Sequence, residues 1–123
     1  MSTNVLVADD SGTMRKIIIR SLNAVGIKSV VEAADGEQAV AMFKPNTFDL
    51  VLTDWNMPGK TGLEVIQEIR TQDTKVPIIM ITTEAEKRRV LEAIQAGVTD
   101  YLVKPFTPDT LREKLDKHMT VVT

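Results

Sequence analysis

Five side chains suited to metal or phosphoryl chemistry each stand at the end of a short apolar run. They are Asp9, Asp10, Asp54, Thr82 and Lys104. The adjacent carboxylates of Asp9 and Asp10 raise each other's cost of ionisation, so a buried-looking run that ends on them needs a nearby cation or a solvated turn. Taken singly, each of the five could be a helix cap, a turn residue or a surface residue. Their common placement is what points to chemistry.

Three carboxylates opposed by a single lysine favour a divalent cation. The chain has no cysteine, and its one histidine lies far along the sequence at His118, so the ligands would all be oxygen atoms. A few hard oxygen ligands suit Mg²⁺, or Mn²⁺ in its place, better than zinc. With Lys104 and the Thr82 hydroxyl facing phosphoryl oxygens, one carboxylate could act as nucleophile and form an acyl phosphate. Asp54, which follows the third run, is the best candidate.

The apolar runs alternate with helical patterns along the chain. The runs are VLVA (5–8), SVVEA (29–33), LVLT (50–53), PIIMI (77–81) and YLV (101–103). They are rich in Val and Ile without strict alternation, which is typical of strands covered on both faces. Five strands and five helices in alternation predict an α/β fold, a doubly wound (βα)5 five-stranded parallel sheet. The carboxyl ends of its strands share one edge, where such sheets bind ligands.

Helix start and stop signals support this division. Thr61 and Glu64 form a capping box, and Thr107 followed by Pro108 is typical of a helix start. Gly26 stands where a helix C-terminal glycine belongs. We therefore expect helices that begin after Thr61 and Thr107 and a helix that ends before Gly26.

Length and composition exclude several classes of protein. At 123 residues, the chain is expected to form a single domain over residues 1–123. A net charge of −2 argues against sequence-independent nucleic-acid binding, which needs a basic face. No apolar run is long enough to span a bilayer, and the N-terminus MSTN lacks a signal pattern. We expect a soluble, cytoplasmic protein that engages neither nucleic acid nor membrane.

The motifs at the strand ends resemble those of one protein family. The segments DD (9–10), DWNMPGKTG (54–62), TT (82–83) and KPF (104–106) are together similar to the response-regulator receiver domains of two-component systems, over essentially the whole chain. The stand-alone chemotaxis members are the most similar. The resemblance implies the strand order 2-1-3-4-5 and a phosphoryl group taken from a histidine kinase or a small phosphodonor. It implies no enzyme activity beyond the receiver's own phosphorylation and dephosphorylation.

The resemblance also implies roles for the acidic residues. Asp54 corresponds to the phosphorylated aspartate. Asp9 and Asp10 correspond to the pair that holds Mg²⁺, with Asp10 as a direct ligand and Asp9 acting through water. Asn56 corresponds to the residue whose backbone carbonyl completes the metal site.

Further positions correspond to the parts that respond to phosphorylation. Thr82 corresponds to the switch hydroxyl, Lys104 to the lysine that contacts the phosphoryl group, and Tyr101 to the switch aromatic. The Lys104–Pro105 bond is expected to be cis. One departure is Thr83, where the family usually has a small residue such as alanine. Its side chain could restrict water beside the acyl phosphate or simply cap the next helix.

The output surface is expected to comprise the fourth helix, the fifth strand and the fifth helix. Around Tyr101 it would carry Lys87, Val90, Ile94, Val103, Phe106, Lys114 and Lys117. An apolar centre with a basic rim suits an acidic amphipathic segment of a partner, such as a flagellar motor switch component, bound by a monomeric receiver. The alternative is that Tyr101 is a half-buried core residue and the lysines form a solvated face.

Three other functions are compatible with parts of the pattern. A flavodoxin-like FMN-binding protein shares the fold, but DDSGT places two negative charges in the loop that would bind phosphate. A phosphatase with an aspartate nucleophile normally needs a second Asp two residues later as acid/base, and here that residue is Asn56. Within the receiver family, the alternative is a phosphorelay or cell-cycle receiver that passes its phosphate to a histidine phosphotransfer protein.

Overall fold

Five short aliphatic segments form one parallel sheet in the computed structural model, which describes residues 3–83 and 89–118. The strands are β1 (Asn4–Ala8), β2 (Ser29–Ala33), β3 (Leu50–Asp54), β4 (Ile78–Thr82) and β5 (Asp100–Val103). β3 and β4 are buried along their whole length, as expected of strands covered on both faces. All five predicted strands are present.

The strand order is β2-β1-β3-β4-β5, and every neighbouring pair is parallel. Ala8 of β1 lies beside Thr53 of β3, so the residues that follow them, Asp9 and Asp54, come to the same place. Thr82 at the end of β4 lies beside Val103 at the end of β5. The doubly wound α/β sheet and its order are thus confirmed, and the strand carboxyl ends share one edge.

Two strands extend one residue past the carboxyl ends of the predicted apolar runs. Asp54 is the last residue of β3 and pairs in register with Ile81. Thr82 is the last residue of β4 and pairs with Val103. The apolar runs mark where side chains become polar, whereas backbone pairing continues for one more residue. Both polar side chains therefore stand on regular strand backbone rather than on a loop.

Helices cover both faces of the sheet. They are α1 (Gly12–Ala24), α2 (Gly36–Phe43), α3 (Gly62–Gln72), α4 (Val90–Ala96) and α5 (Pro108–His118). One cluster of buried side chains, the α1/α5 core, includes Ile18, Leu22 and Leu111. A second cluster on the opposite face, the α2/α3/α4 core, includes Phe43 and Ile66. Within the described ranges, no helix combines the length and apolar character needed to cross a membrane.

The predicted caps lie where the sequence placed them. Thr61 and Glu64 form a reciprocal capping box at the start of α3. The hydroxyl of Thr107 accepts the Thr110 N–H at 3.2 Å at the start of α5. Gly26, just past the end of α1, has a φ of 93°, a left-handed conformation that favours glycine.

Gly62, the first residue of α3, leaves no room for a side chain beside the end of β3. A Cβ atom there would lie 2.2 Å from the Asp54 carbonyl oxygen and 3.1 Å from the Trp55 Cα. Because these are backbone atoms, they cannot yield as a flexible side chain would. We expect Gly62→Ala to lower the free energy of unfolding by about 2–3 kcal/mol, the upper part of the range for overpacking, as measured by urea denaturation.

Gly12, the first residue of α1, is the matched control. It is exposed, and the nearest atom to its added Cβ would be Arg15 Nη2 at 3.5 Å, an ordinary contact. Gly12→Ala should be neutral or raise stability by up to about 1 kcal/mol, because alanine restricts the unfolded chain. Equal losses for the two variants would contradict the packing argument.

Candidate functional site

Three carboxylates meet at the carboxyl edge of the sheet. Asp9 directly follows β1, Asp10 follows Asp9, and Asp54 ends the neighbouring strand β3. One carboxylate oxygen from each lies within 4.8 Å of the others. Asp9 and Asp54 are buried, whereas Asp10 is exposed. The structure therefore brings together the acidic residues that the sequence predicted, with Asp10 on the solvent side.

The Asp9 carboxylate is fixed on one side and open on the other. Its Oδ1 accepts the backbone N–H of Ser11 at 2.9 Å. Its Oδ2 is buried without a hydrogen-bond partner. A buried carboxylate oxygen without a donor is costly, so this atom is placed to receive a cation or a water molecule held by one.

Lys104 supplies the positive charge of the site. Its Nζ lies 3.2 Å from Asp54 Oδ1 and 3.6 Å from Asp9 Oδ2, so one ammonium group serves two carboxylates. The backbone N–H of Lys104 donates to the Thr82 carbonyl oxygen at 2.7 Å. The Lys104–Pro105 bond is cis, as expected.

Compared with bulk water, the protein environment of Asp54 favours the protonated form of its carboxyl group. Burial, the largest influence, raises the pKa of Asp54 above its usual 3.8, the nearby Lys104 ammonium lowers it, and the Asp9 carboxylate raises it again. The net direction is upward, even though Oδ1 also accepts the Trp55 N–H at 2.9 Å. Burial of Asp54 therefore outweighs its ion pair with Lys104.

The cluster fits a hard divalent cation. Its donors are carboxylate oxygens, one of them buried without a hydrogen bond, and these three carboxylates outnumber the ammonium group of Lys104. These are the ligands that Mg²⁺ prefers. Asn56, on the exposed turn that follows β3, lies two residues beyond Asp54.

Thr82 and Tyr101 project from the same face of the sheet. Met80 of β4 lies beside Tyr101 of β5, and both contact the α2/α3/α4 core. Thr82 is two residues beyond Met80 and therefore points to the same side. Its side chain is buried, and its hydroxyl donates to the carbonyl oxygen of half-buried Thr83 at 3.3 Å. A path along one sheet face thus links the site to Tyr101.

The predicted output surface is less apolar than expected. Val90 is only 8% exposed, because α4 turns it toward the sheet. Phe106 is half-buried and packs against the α1/α5 core instead. Ile94 is 55% exposed and Val103 is half-buried. The expectation that Val90 lies on this surface is therefore wrong, although Val90 stands only one helical turn before the exposed Ile94.

The predicted output surface also includes lysines and one further exposed apolar residue. Lys114 is half-buried on α5 and Lys117 is exposed, whereas Lys87 falls outside the described residues. Leu91, which the sequence reasoning missed, is 65% exposed on α4 beside Ile94. Its position could have been inferred from helical spacing, because Leu91 and Ile94 are three residues apart and so share one face of α4.

A cavity of about 260 Å³ opens between β5 and α5 on the same surface. Its lining residues are Tyr101, Leu102, Val103, Pro105, Thr110, Glu113 and Lys114. The predicted switch aromatic therefore borders a concave part of the surface.

Two arginines contribute contacts that the sequence did not reveal. Arg15 donates through Nη1 to the Asp9 carbonyl oxygen at 2.7 Å and through Nε to Glu32 at 2.9 Å, which fixes the backbone that carries Asp9. Arg89, beside the start of α4, places its guanidinium 4.4 Å from the centroid of the Trp55 ring. An arginine one turn into the helix after an acidic pair is a weak signal for the first contact. No local pattern indicates the second.

Comparison with known proteins agrees with this geometry. Residues 5–116 match the sequence model of the response regulator receiver domain family. Chemotaxis protein CheY-3 of Vibrio cholerae is 47% identical over 115 residues, which cover 92% of this chain and 88% of that protein. The structure of the chemotaxis response regulator CheY4 of Vibrio cholerae has a TM-score of 0.88 at 36% identity, covering 97% of this chain and 100% of its own.

A further solved structure was determined with a metal. It is the receiver domain of the sensor histidine kinase PA1611 from Pseudomonas aeruginosa, with a magnesium ion coordinated in the active-site cleft. Its TM-score is 0.86 at 32% identity, and the match covers 96% of this chain and 98% of that receiver domain. With its fold, acidic edge and sequence match, this chain belongs to the response regulator receiver domain family, the phosphorylatable switches of two-component systems.

The raised pKa of Asp54 has a testable consequence for stability. A carboxyl whose pKa is higher in the folded state destabilises that state when ionised, and this cost disappears once the pH falls below its unfolded value. In metal-free buffer, Asp54→Asn should therefore raise the free energy of unfolding at neutral pH. The gain should shrink to nothing as the pH falls below 3.8. Urea denaturation across this pH range measures it.

Asp116→Asn is the control, because it removes the same charge from an exposed position on α5. It should show no comparable gain at neutral pH. A loss of stability in Asp54→Asn at neutral pH would mean that the ion pair with Lys104 outweighs burial and crowding.

Proposed function

We propose that this chain is a phosphorylation-controlled switch in which Asp54 accepts the phosphoryl group. The observation that carries the proposal is the convergence of three carboxylates, one lysine and one buried threonine at a single sheet edge. One Asp54 carboxylate oxygen attacks the phosphorus of a histidine kinase's phosphohistidine. The new O–P bond forms as the P–N bond breaks, and the departing imidazole takes up a proton. The product is an acyl phosphate on Asp54.

Mg²⁺, or Mn²⁺ in its place, would be held by Asp10 directly, by Asp9 through water, by Asp54, and by the backbone carbonyl of Asn56. When bound, it neutralises charge on the phosphoryl oxygens and on the crowded carboxylates. Asp9 Oδ2, buried and without a hydrogen bond, supports this assignment because it is an acceptor directed into the cluster.

Lys104 and Thr82 act on the phosphoryl group once it is attached. The Lys104 ammonium, already 3.2 Å from Asp54 Oδ1, remains as a cation beside the new negative charge. The Thr82 hydroxyl turns from the Thr83 carbonyl oxygen, a bond of 3.3 Å, toward the phosphoryl oxygens. The threonine thus exchanges a long hydrogen bond for a charge-assisted one.

Tyr101 transmits this change to the surface formed by α4, β5 and α5. It shares a sheet face with Thr82 and borders the cavity beside α5, so its ring can move into the space that the Thr82 side chain leaves. The exposed Ile94 and Leu91 with Lys114 and Lys117 then suit an acidic amphipathic segment of an output protein. The similarity to chemotaxis proteins supports a role in chemotaxis, with a flagellar motor switch component as partner.

In this role the chain catalyses only its own phosphorylation and dephosphorylation and acts as a cytoplasmic monomer. A small phosphodonor and the histidine kinase would both transfer their phosphoryl group to Asp54.

The phosphoacceptor is tested by incubation with acetyl phosphate and Mg²⁺, followed by intact-protein mass measurement. The wild type should gain one phosphoryl group that is lost on treatment with hydroxylamine, because acyl phosphates react with it. Asp54→Asn should gain none, and Asp116→Asn should label as the wild type does. A phosphoryl group retained by Asp54→Asn would refute the assignment.

The metal site is tested through Trp55, the only tryptophan of the chain, whose backbone N–H donates to Asp54. Titration with Mg²⁺ should change its fluorescence. Asp10→Asn should weaken Mg²⁺ binding by at least about tenfold, since loss of even an outer partner of a ligand costs about 10–100-fold. Asp116→Asn should bind as the wild type does. Unchanged affinity in Asp10→Asn would exclude Asp10 as a ligand.

A further inference from the structure

A second charged cluster lies at the amino end of β5, away from the edge that carries the acidic site. The Asp100 carboxylate is its centre. Oδ1 accepts the Tyr101 N–H at 2.8 Å and Lys114 Nζ at 3.0 Å, and Oδ2 is 2.7 Å from His118 Nε2. Because a carboxylate oxygen only accepts, His118 must carry its hydrogen on Nε2. Asp100 thus holds groups from both β5 and α5.

The charge state of Asp100 agrees with this arrangement. Burial acts to raise its pKa, but hydrogen bonds from His118, the Tyr101 N–H and Lys114 outweigh burial, and the pKa is lowered. Its side chain is only 11% exposed, so the contacts are partly shielded from solvent. An ionised, shielded carboxylate with three donors is a firm anchor for the longer side chains around it.

Lys114 connects this anchor to Tyr101. While bonded to Asp100, its Nζ also lies 5.1 Å from the centroid of the Tyr101 ring, within cation–π range. Asp100 and Tyr101 are adjacent in sequence, so the lysine is held over the ring by the residue next to it. The ring then loses this attraction whenever it moves away from Lys114.

We propose that Asp100 is a positioning residue for the switch, which holds Lys114 over Tyr101 and so favours the resting placement of the ring. The proposal rests on the proposed role of Tyr101 and adds how that role is restrained. It also means that Lys114 is already paired in the resting state, so an acidic partner must compete with Asp100 for it.

Thermodynamic linkage allows the effect of Asp100 to be measured at Asp54, as a change in affinity for a phosphoryl mimic. If removing the restraint favours the switched placement of Tyr101, it must tighten binding of a phosphoryl mimic at Asp54 by the same factor. A cation–π contact of this kind at a partly exposed position corresponds to about two- to fivefold. The probe is beryllium fluoride at saturating Mg²⁺, followed by Trp55 fluorescence.

Asp100→Asn and Lys114→Met should each tighten beryllium fluoride binding by about two- to fivefold, and the double variant should gain no more than either alone. Arg112→Met, which removes a positive charge from an exposed position of the same helix, should bind as the wild type does. A general electrostatic effect of lost charge would instead give opposite signs for the Asp100 and Lys114 variants. Lys114→Met keeps the test open if Asp100→Asn folds poorly.

The ring itself is observed by ¹⁹F NMR of protein labelled with 3-fluorotyrosine, which gives one signal because Tyr101 is the only tyrosine. In Asp100→Asn the signal should move from its wild-type position toward that of the beryllium fluoride complex. An unmoved signal with unchanged beryllium fluoride affinity would overturn the proposal. If the wild type fails to bind beryllium fluoride, the proposed function at Asp54 fails, while a ¹⁹F signal that differs between the wild type and both Asp100→Asn and Lys114→Met still shows that Asp100 positions the ring.

Discussion

The repulsion between the buried carboxylates of Asp9 and Asp54 is the interaction on which the rest of the site depends. The parallel register of β1 and β3 forces the two groups together, and nothing in the apolar interior of the sheet relieves them. Lys104 offsets part of this repulsion, but its single positive charge is set against three carboxylates. The residual negative charge is what prepares the site for a cation, and with the cation for an incoming phosphoryl group that would otherwise be repelled.

The surrounding contacts hold this unfavourable arrangement in place. The Ser11 and Trp55 N–H groups each bind one carboxylate, and Arg15 binds the Asp9 carbonyl oxygen. Trp55 in turn lies against Arg89 at the start of α4. Asp54 is therefore joined by direct contacts, through the backbone and ring of Trp55, to Arg89 at the start of α4.

Much of the fold and the centre of the site could be predicted from sequence because they depend on local patterns. The apolar runs located the strands, and parallel topology required Asp9, Asp54, Thr82 and Lys104 to share an edge. The predicted ends of β3 and β4 were one residue short, because backbone pairing continues to Asp54 and Thr82, where the side chains are already polar. Val90 was misplaced because helical spacing gives the faces of α4 but not the direction in which the helix turns them.

Other parts could not be read from the sequence, because they join residues far apart along the chain. Two examples are the contacts of Lys114 with Asp100 and of Arg15 with Glu32. Both depend on the conformation that a long side chain adopts once the helices have packed. A lysine or an arginine on a helix is most often a solvated residue, and only tertiary structure distinguishes one that is held.

The two faces of the sheet also carry separate clusters of packed side chains. Tyr101 and the side chain of Thr82 belong to the side of α2, α3 and α4, whereas Leu102, between Tyr101 and Val103, packs with α1 and α5. Movement of the tyrosine therefore changes packing on the α2/α3/α4 side directly, and it reaches the other side through Lys114 of α5, which lies over the ring. β5 therefore places a half-buried aromatic ring directly beside a leucine that is only 4% exposed, so neighbouring residues of one short strand differ in their freedom to move.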